Sequence, residues 1–440
     1  MAALSSGAHT AAASVRGRRP AVALAGTLAL AVSVAFASVA VHAHLVRSSP
    51  EDGESLSASP PVIRLVFSEP VEAGLSTIVV WSARDSLEIR VRADTTDAQT
   101  LIGDLPHLAP AEYQVDWRVV SADGHPIEGS YRFTVQAPPG VPDTVPSLGP
   151  MAAHRPGAGG HDHTSGSNPA AGVSAALRGL AMFTLVALAG WLVQVVALGG
   201  PPPRGAIQTA LLLAALTTGF LAAHFAAWLW HVTPGGRAPD LGAALGTGPG
   251  RVEALRVGLA FLALWAIGLA RRPWIALTLA LAAVLVSGAT GHSAGISPRW
   301  SIPLKSLHLI ALAVWVGGVA WLAAAALDPA AFGASASRVS GMALGAVIVV
   351  GLTGVAQSAL FLPNVAALFG SAYGRLVLTK VAGLAGLVAF GAWNRRRLMP
   401  RLDQAGGHAA LRASTRRELA LMLAISLVAG VLAYVPPPSA

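Results

Sequence analysis

Residues 173–198 read VSAALRGLAMFTLVALAGWLVQVVAL, and this stretch decides the fold of most of the chain. A membrane-spanning helix needs about 20 consecutive, mostly apolar residues, and the stretch is longer than that. Seven further apolar segments of spanning length follow, at residues 206–230, 252–270, 274–290, 304–327, 339–362, 376–393 and 419–434. Residues 173–435 are therefore predicted to form an all-α polytopic membrane bundle of about eight transmembrane helices in a lipid bilayer.

Charges between the predicted spans indicate how the bundle is oriented. If the first span starts outside, the inward loops hold eleven Arg, whereas the outward loops hold four Arg and one Lys. Because inward loops are enriched in Lys and Arg, the chain before residue 173 and the C-terminus are both predicted outside. The net charge of +9 arises from these loops and the N-terminal segment, so nucleic acid is not a predicted partner. No G-x-x-x-x-G-K-[ST] motif occurs, and no nucleotide is predicted.

Residues 1–43 are predicted to be a signal peptide. An arginine-rich stretch precedes an apolar run at residues 21–40, and Ala43 offers a signal peptidase the small residue that it requires. Cleavage after Ala43 makes His44 the first residue of the mature chain. The alternative cleavage after Ala40 leaves three residues in front of His44.

A metal site is predicted from His44 and from the stretch SADGHP at residues 121–126. A histidine at a free N-terminus chelates, because its amine and its ring Nδ1 can bind one metal together. Asp123 and His125 are two residues apart, so in an extended segment their side chains leave the same face. Three nitrogens and one oxygen suit Cu(II) better than zinc or calcium. His44, Asp123 and His125 are the predicted Cu(II) ligands, and no catalytic residue is predicted.

Residues 44–137 show the pattern of an all-β domain. Short β-branched and aromatic runs lie at residues 63–71, 77–81, 87–91, 113–120 and 131–135, separated by Gly, Pro and Asp. About seven such strands in roughly ninety residues is typical of an Ig-like β-sandwich. This segment holds seven Arg and no Lys against fourteen Asp and Glu, and its acidic surface attracts cations.

Residues 138–172 are predicted to be a flexible linker, because Pro, Gly, Ser and Ala dominate them. His154, His161 and His163 either relay copper weakly or are ordinary linker residues. The whole chain has no cysteine, so any metal ligand is a histidine, a methionine or a carboxylate.

Residues 44–136 resemble the CopC family of periplasmic copper-binding proteins. The pieces that carry the resemblance are HLVRSSP at 44–50, LVFSEPV at 65–71 and SADGHP at 121–126. The resemblance implies a small β-sandwich that binds Cu(II) through its N-terminal histidine and its D-G-H motif, roles that fall on His44, Asp123 and His125. No methionine lies between His44 and Met151, so a Cu(I) site rich in methionine is not predicted.

Most of the range 173–434 resembles the membrane family CopD. The matching pieces are TGH at 290–292, LHL at 307–309, VWVGG at 314–318, YGRL at 373–376 and AWNRRR at 392–397. The resemblance implies a copper-handling partner of CopC in the bacterial inner membrane. One chain that carries both parts raises the effective concentration at the handoff. The predicted function is to bind Cu(II) outside and to pass copper to or through the membrane domain, without enzymatic activity.

Four histidines fall on the outer half of the predicted bundle, namely His224, His231, His292 and His308. Polar residues inside a membrane are costly and mark a pathway or site by default. Imidazole binds both Cu(II) and Cu(I), so these residues are the predicted membrane copper path. The alternative is that they are packing residues or interfacial anchors, and His292 in particular is predicted at the water boundary.

Two carboxylates of the bundle have both structural and functional interpretations. Glu253 is predicted to pair with Arg256 three residues later, and Glu418 to face the dipole at the start of the last span. The alternatives are a cation-attracting residue at the outer mouth and an exit residue at the inner face. Gly317 and Gly318 are predicted to let a neighbouring helix approach closely.

Tryptophans near the span ends, including Trp191 and Trp228, are predicted to be interfacial anchors. Two further functions stay open. Paired helix histidines could ligate b-type haem, which would make the bundle an electron-transfer protein that reduces the captured Cu(II). A copper oxygenase also uses an N-terminal amine and imidazole, although Asp123 would then fill the position that substrate needs.

Overall fold

The computed structural model describes residues 44–137, 169–198, 200–233, 237–435 and 437–438. The predicted signal peptide and nearly all of the predicted linker, with His154, His161 and His163, lie outside the described residues. Within the described part, a β-sandwich is followed by a bundle of helices, which confirms the predicted order of the two domain types.

The sandwich has nine strands in its described residues, two more than the sequence predicts. They are β1 (Leu45–Ser49), β2 (Glu54–Leu56), β3 (Val62–Phe67), β4 (Thr77–Trp81), β5 (Ser86–Ile89), β6 (Val91–Ala93), β7 (Thr100–Asp104), β8 (Ala111–Val120) and β9 (Pro126–Val135). One sheet has the order β1-β3-β7-β6 and the other β2-β9-β8-β4-β5. Among the nine, β1, β2 and β7 have no counterpart in the five predicted runs, and β2, with three residues at a sheet edge, is too short to give a clear alternating pattern.

Strand β8 shows why these residues form a sandwich. Buried and half-buried side chains alternate along it, so that one face enters the core and the other does not. Trp117 on the buried face packs edge-on against Phe67 of the opposite sheet, with ring centroids 5.3 Å apart. Strands β8 and β9 pair antiparallel from Ala111 with Val135 to Val120 with Pro126. Their connecting turn, residues 121–125, therefore projects the D-G-H motif from one end of the sheet.

Eleven α-helices follow in the described residues. They are α1 (Pro169–Ala197), α2 (Ala206–Val232), α3 (Leu241–Gly246), α4 (Gly248–Gly268), α5 (Pro273–Val286), α6 (His292–Gly295), α7 (Pro298–Ala324), α8 (Pro329–Phe361), α9 (Val365–Gly370), α10 (Ala372–Trp393) and α11 (Gly407–Leu432). Helix α10 continues into a π-helical turn, Asn394–Leu398. Each predicted span overlaps one of the eight longer helices, while α3, α6 and α9 are short connecting helices.

Five described helices are long and apolar enough to cross a membrane by length and composition. They are Gly172–Ala197, Ala206–Val232, Pro298–Ala324, Pro329–Phe361 and Ala372–Arg401. The other three predicted spans coincide with α4, α5 and α11. Helix α4 carries buried Glu253 and Arg256, and α5 has only 14 residues. The first part of α11 is rich in arginine. A total of eight spans thus remains a prediction.

Helices α1 and α7 cross in direct backbone contact. A Cβ atom on Gly317 would overlap the carbonyl carbon of Gly190, and one on Gly190 would overlap the Ala313 oxygen. This confirms the close approach predicted at Gly317. The same crossing buries Trp191 completely, and its indole donates to the Ala206 carbonyl at 2.9 Å. The prediction that Trp191 is an interfacial anchor was wrong, because its position near a span end did not reveal this crossing.

Candidate copper site between sandwich and bundle

The turn at residues 121–125 is held by internal hydrogen bonds and lies against the bundle. The Ser121 hydroxyl donates to the carboxylate of Asp123 and to the carbonyl of His125, and the His125 backbone N–H donates to Asp123 at 3.2 Å. Gly124 has a φ of 89°, a left-handed conformation that glycine adopts without strain. Only 9% of Asp123 and 4% of His125 are exposed. Both predicted ligands therefore face the bundle rather than water.

His292, at the start of α6, is the bundle residue that meets this turn. Its Nδ1 lies 3.1 Å from the Asp123 carboxylate, and its Nε2 lies 2.9 Å from the Val435 carbonyl. The His125 ring lies with its centroid 6.3 Å from that of His292, and its Nε2 lies 3.0 Å from the Ala433 carbonyl. His292 is buried beneath the sandwich, so its predicted place at the water boundary was wrong. The sandwich, rather than solvent, covers this end of the bundle.

Trp228 of α2 holds the same turn from the other side. Its indole N–H donates to the Gly124 carbonyl at 2.8 Å, and its side chain is buried. The predicted role of Trp228 as an interfacial anchor was therefore wrong. An indole that bonds to the backbone of the D-G-H motif fixes the position of the turn without occupying either predicted metal ligand.

Two helix ends also bind the sandwich through charge. The Arg118 guanidinium donates to the carbonyls of His231 and Val232, both at 2.8 Å, at the C-terminal end of α2. The Glu72 carboxylate accepts from the Gly248 N–H at 3.0 Å, at the N-terminal end of α4. A cation at a helix C-terminus and an anion at an N-terminus are both favourable, because they complement the helix dipole.

A small cavity lies where the turn meets the bundle, and we call it the contact cavity. Its volume of about 20 Å³ is room for roughly one water molecule. Asp123 and His125 line it from the sandwich. Its bundle lining includes Arg178, His224, Trp228, Glu253, Thr290, Gly291 and Tyr434. The cavity therefore joins the predicted metal ligands to one histidine of the predicted membrane path.

The deep wall of the contact cavity is a buried ionic group. His224, which is 1% exposed, has its Nε2 3.8 Å from the Glu253 carboxylate. Glu253 also accepts two hydrogen bonds from Arg256, at 2.7 and 2.8 Å, which confirms their predicted pairing. The Nδ1 of His224 has no hydrogen-bond partner among the described residues. An unprotonated imidazole nitrogen binds copper in either oxidation state, so His224 has the chemistry of a copper ligand.

Two protein-family models match separate parts of the chain. The CopC domain model matches residues 45–136, and the Copper resistance protein D model, CopD, matches residues 333–432. The chain joins a CopC domain to a CopD domain. The bundle residues that line the contact cavity lie outside the CopD match, since Tyr434 follows it and the others precede it.

Several relatives share one or both parts. Copper resistance protein C of Xanthomonas campestris pv. juglandis is 37% identical over 116 residues, 24% of this chain and 90% of that protein. Copper transport protein CutJ of Bacillus subtilis (strain 168) is 26% identical over 428 residues, 90% of this chain and 74% of that protein. The crystal structure of CopC from Methylosinus trichosporium OB3b is 35% identical and covers 22% of this chain and 94% of its own, with a TM-score of 0.21.

The remaining histidines of the predicted path lie apart from the contact cavity. Among the contacts described, His231 binds the CopC domain through its backbone carbonyl. The Nδ1 of His308 lies 2.9 Å from the Thr353 hydroxyl, between α7 and α8. Neither residue lines the cavity. The ring pair that does meet, His125 and His292, joins the CopC domain to the bundle rather than two membrane helices.

His44 lies at the exposed start of the CopC domain. Its backbone N–H donates to the Ser68 hydroxyl at 3.0 Å, and the Ser68 N–H donates back to its carbonyl at the same distance. Within the described ranges no group of three or more His, Asp or Glu side chains is arranged to hold a metal ion. The structure thus brings Asp123 and His125 together but does not gather His44 with them into such a group.

Three residues near the site were missed by sequence reasoning. Burial raises the pKa of Glu69, with the charge of Asp123 as the second cause. Tyr434 meets the His125 ring edge-on, with centroids 4.8 Å apart, and Arg178 donates to the Thr290 hydroxyl at 3.0 Å. Arg178 was detectable as a charge inside the first apolar stretch. Nothing local in the sequence distinguishes Glu69 or Tyr434, because a contact between domains brings them to the site.

Proposed function

We propose that the protein binds Cu(II) on the outer face of the inner membrane and passes copper to or through the membrane bundle. The observation that carries the proposal is the contact cavity. On one side it has two predicted ligands of the CopC domain, Asp123 and His125, and on the other it has His224. His292 lies within hydrogen-bonding distance of Asp123. The matches to the CopC and CopD families and to the copper transport protein CutJ support copper as the cargo.

Capture of Cu(II) uses His44, Asp123 and His125. In the arrangement seen here, the Asp123 carboxylate faces His292 and the His125 ring faces the Ala433 carbonyl. These two contacts occupy the Oδ2 atom of Asp123 and the Nε2 atom of His125. We therefore interpret the present position of the CopC domain as the delivery position, in which bundle groups have replaced copper on two of its ligands.

His292 is the first acceptor in this proposal, and His224 is the second. Their imidazoles bind copper in either oxidation state. The charges around these histidines affect which form of copper can pass. Arg178 and Arg256 are buried nearby, and the Glu253 carboxylate pairs with Arg256. Because Coulomb repulsion scales with charge, a monovalent ion meets half the repulsion that a divalent ion meets.

The contacts of the CopC domain support the predicted orientation of the bundle. The bundle residues that bind it lie at 231–248, around residue 292 and at 433–435. These segments are the ones that the eight-span topology places outside, together with the N-terminal domain. We therefore propose eight spans, with the CopC domain and the C-terminus on the periplasmic side.

The handoff is tested with purified full-length protein in copper-free vesicles to which Cu(II) is added outside. We expect His292→Ala and His224→Ala to slow copper entry by about tenfold or more, as loss of a metal ligand typically does. Binding of Cu(II) by the CopC domain should stay intact, since neither histidine belongs to it. His408→Ala on α11 is the matched control. Entry at the wild-type rate in both variants would show that copper does not follow this route.

Capture is tested by adding one residue before His44. The extension converts the chelating amine into an amide, so high-affinity Cu(II) binding should be lost. His107→Ala, which removes an exposed histidine of the same domain, should leave the affinity unchanged. An extended protein that binds Cu(II) as tightly as the mature one would show that the amine is not a ligand.

A further inference from the structure

Glu418 is a buried carboxylate deep inside α11. Only 3% of it is exposed, although its flanking residues Arg416 and Arg417 are charged. The sequence predicts Glu418 at the start of the last span, where a carboxylate faces the helix dipole. The helix begins at Gly407 instead, about three turns earlier. That prediction was wrong, because the dipole effect is confined to the first turn of a helix.

The partners of Glu418 are neutral. The side-chain amide of Asn394 donates to its carboxylate at 3.1 Å, and the indole of Trp315 also donates to it. The Ser414 hydroxyl in turn donates to the amide oxygen of Asn394. No Lys, Arg or His nitrogen among the described residues lies within ion-pairing distance of Glu418. The carboxylate is therefore solvated by dipoles alone.

Burial without a cation has a direct consequence for the charge of a carboxylate. Moving an ionised carboxylate out of water costs several kcal/mol, and a neutralising proton removes most of that cost. Hydrogen bonds from Asn394 and Trp315 act the other way, because they stabilise the ionised form. The desolvation cost favours the protonated form of Glu418 and the hydrogen bonds favour the ionised form. Glu418 can therefore adopt either form, as a reversible proton site requires.

Asn394 gives the group a second distinctive feature. It is the first residue of the π-helical turn Asn394–Leu398 that continues α10. Turns of this kind are rare in proteins, but many of those that occur lie at functional sites. Here the turn begins at the residue that holds the Glu418 carboxylate, next to three arginines of the predicted inner face.

We propose that Glu418 binds and releases a proton at the inner end of the bundle, and that this exchange accompanies copper movement. The proton comes from the aqueous phase and returns to it, and no bond other than O–H forms or breaks. The coupling to copper rests on the proposed function. The proton site itself does not, since it follows from the burial and the neutral partners of Glu418.

The proton site is tested by infrared difference spectroscopy on purified full-length protein between two pH values. The C=O stretch of a buried protonated carboxyl should be present in the wild type and lost in Glu418→Gln. This substitution keeps the shape of the side chain and one accepting oxygen but cannot ionise. Asp403→Asn removes an exposed carboxylate at the same end of the bundle and should retain the band. A band that persists in Glu418→Gln would overturn the proposal.

Coupling is tested in vesicles that contain a pH-sensitive dye. Copper entry in the wild type should respond to an imposed pH gradient, and this response should vanish in Glu418→Gln but not in Asp403→Asn. Equal responses in wild type and Glu418→Gln would overturn the coupling. If wild-type copper entry is absent while the infrared band behaves as expected, the proposed copper function fails and the proton site stands.

Discussion

The end of the bundle that contacts the CopC domain and the opposite end surround a buried carboxylate with different groups. Glu253 at the CopC-facing end is bonded to Arg256 and lies next to His224, within a group that lines the contact cavity. Glu418 at the opposite end has only neutral donors among the described residues. Pairing with a guanidinium favours the ionised form of a carboxylate, whereas the carboxylate without a cation is the one proposed to exchange a proton. The two ends are therefore suited to different tasks.

The largest expected effect comes from removing the Arg256 guanidinium that pairs with Glu253. Arg256→Met leaves Glu253 buried without its guanidinium, which should destabilise the protein by about 3–5 kcal/mol. Glu418→Gln should cost far less, since it removes a charge that has no cation. Thermal unfolding in detergent compares the two variants. The double variant Glu253→Gln/Arg256→Met should recover part of the loss, and equal effects of the two single variants would break the comparison.

A smaller effect is expected where the CopC domain binds the end of α2. Arg118→Met removes two charge-assisted hydrogen bonds to helix carbonyls and should weaken the contact by about 1.5–3 kcal/mol. Hydrogen exchange at residues 121–125 should accelerate, because the turn loses its cover. Arg132→Met, which replaces a half-exposed arginine on the same sheet, is the control. Unchanged exchange in Arg118→Met would mean that this end of α2 does not hold the domain.

Trp228→Phe should have a weaker effect of the same kind. Phenylalanine preserves most of the packing but cannot donate to the Gly124 carbonyl, which costs about 1 kcal/mol. Copper entry should fall while Cu(II) capture is retained, since the turn is less firmly held in the delivery position. Wild-type entry together with wild-type exchange at the turn would contradict this role.

The smallest effect is expected at Asp94, whose partners Thr96 and Arg64 both belong to the CopC domain. Hydrogen bonds from Thr96, followed by that from Arg64, lower the pKa of Asp94 to about 2. A carboxylate whose pKa is depressed in the folded state stabilises it above the unfolded pKa of ~3.9. This contribution is lost as the pH falls through about 2. Circular dichroism of Asp94→Asn should show a slightly flatter acid limb, with neither end of the bundle affected.

Sequence reasoning succeeded where a local pattern has one physical solution. Short β-branched and aromatic runs predicted the sandwich, and the length of the apolar segments predicted the helices. Both patterns follow from the periods that the backbone sets for strands and helices. The pairing of Glu253 with Arg256 was predictable for the same reason, since residues three apart on a helix are neighbours. The glycine contact at Gly317 followed from small side chains in an apolar helix.

Only the tertiary structure decided which groups meet across the two domains. Spacing places Asp123 and His125 on one turn, but it does not reveal that His292 and the C-terminal carbonyls receive them. The tertiary structure also decided the environment of Glu418. Helix α11 begins at Gly407, before its apolar part, so Glu418 lies within the helix and is buried in the bundle. Such encounters depend on the packing of elements far apart in the chain, for which a short sequence pattern holds no distance information.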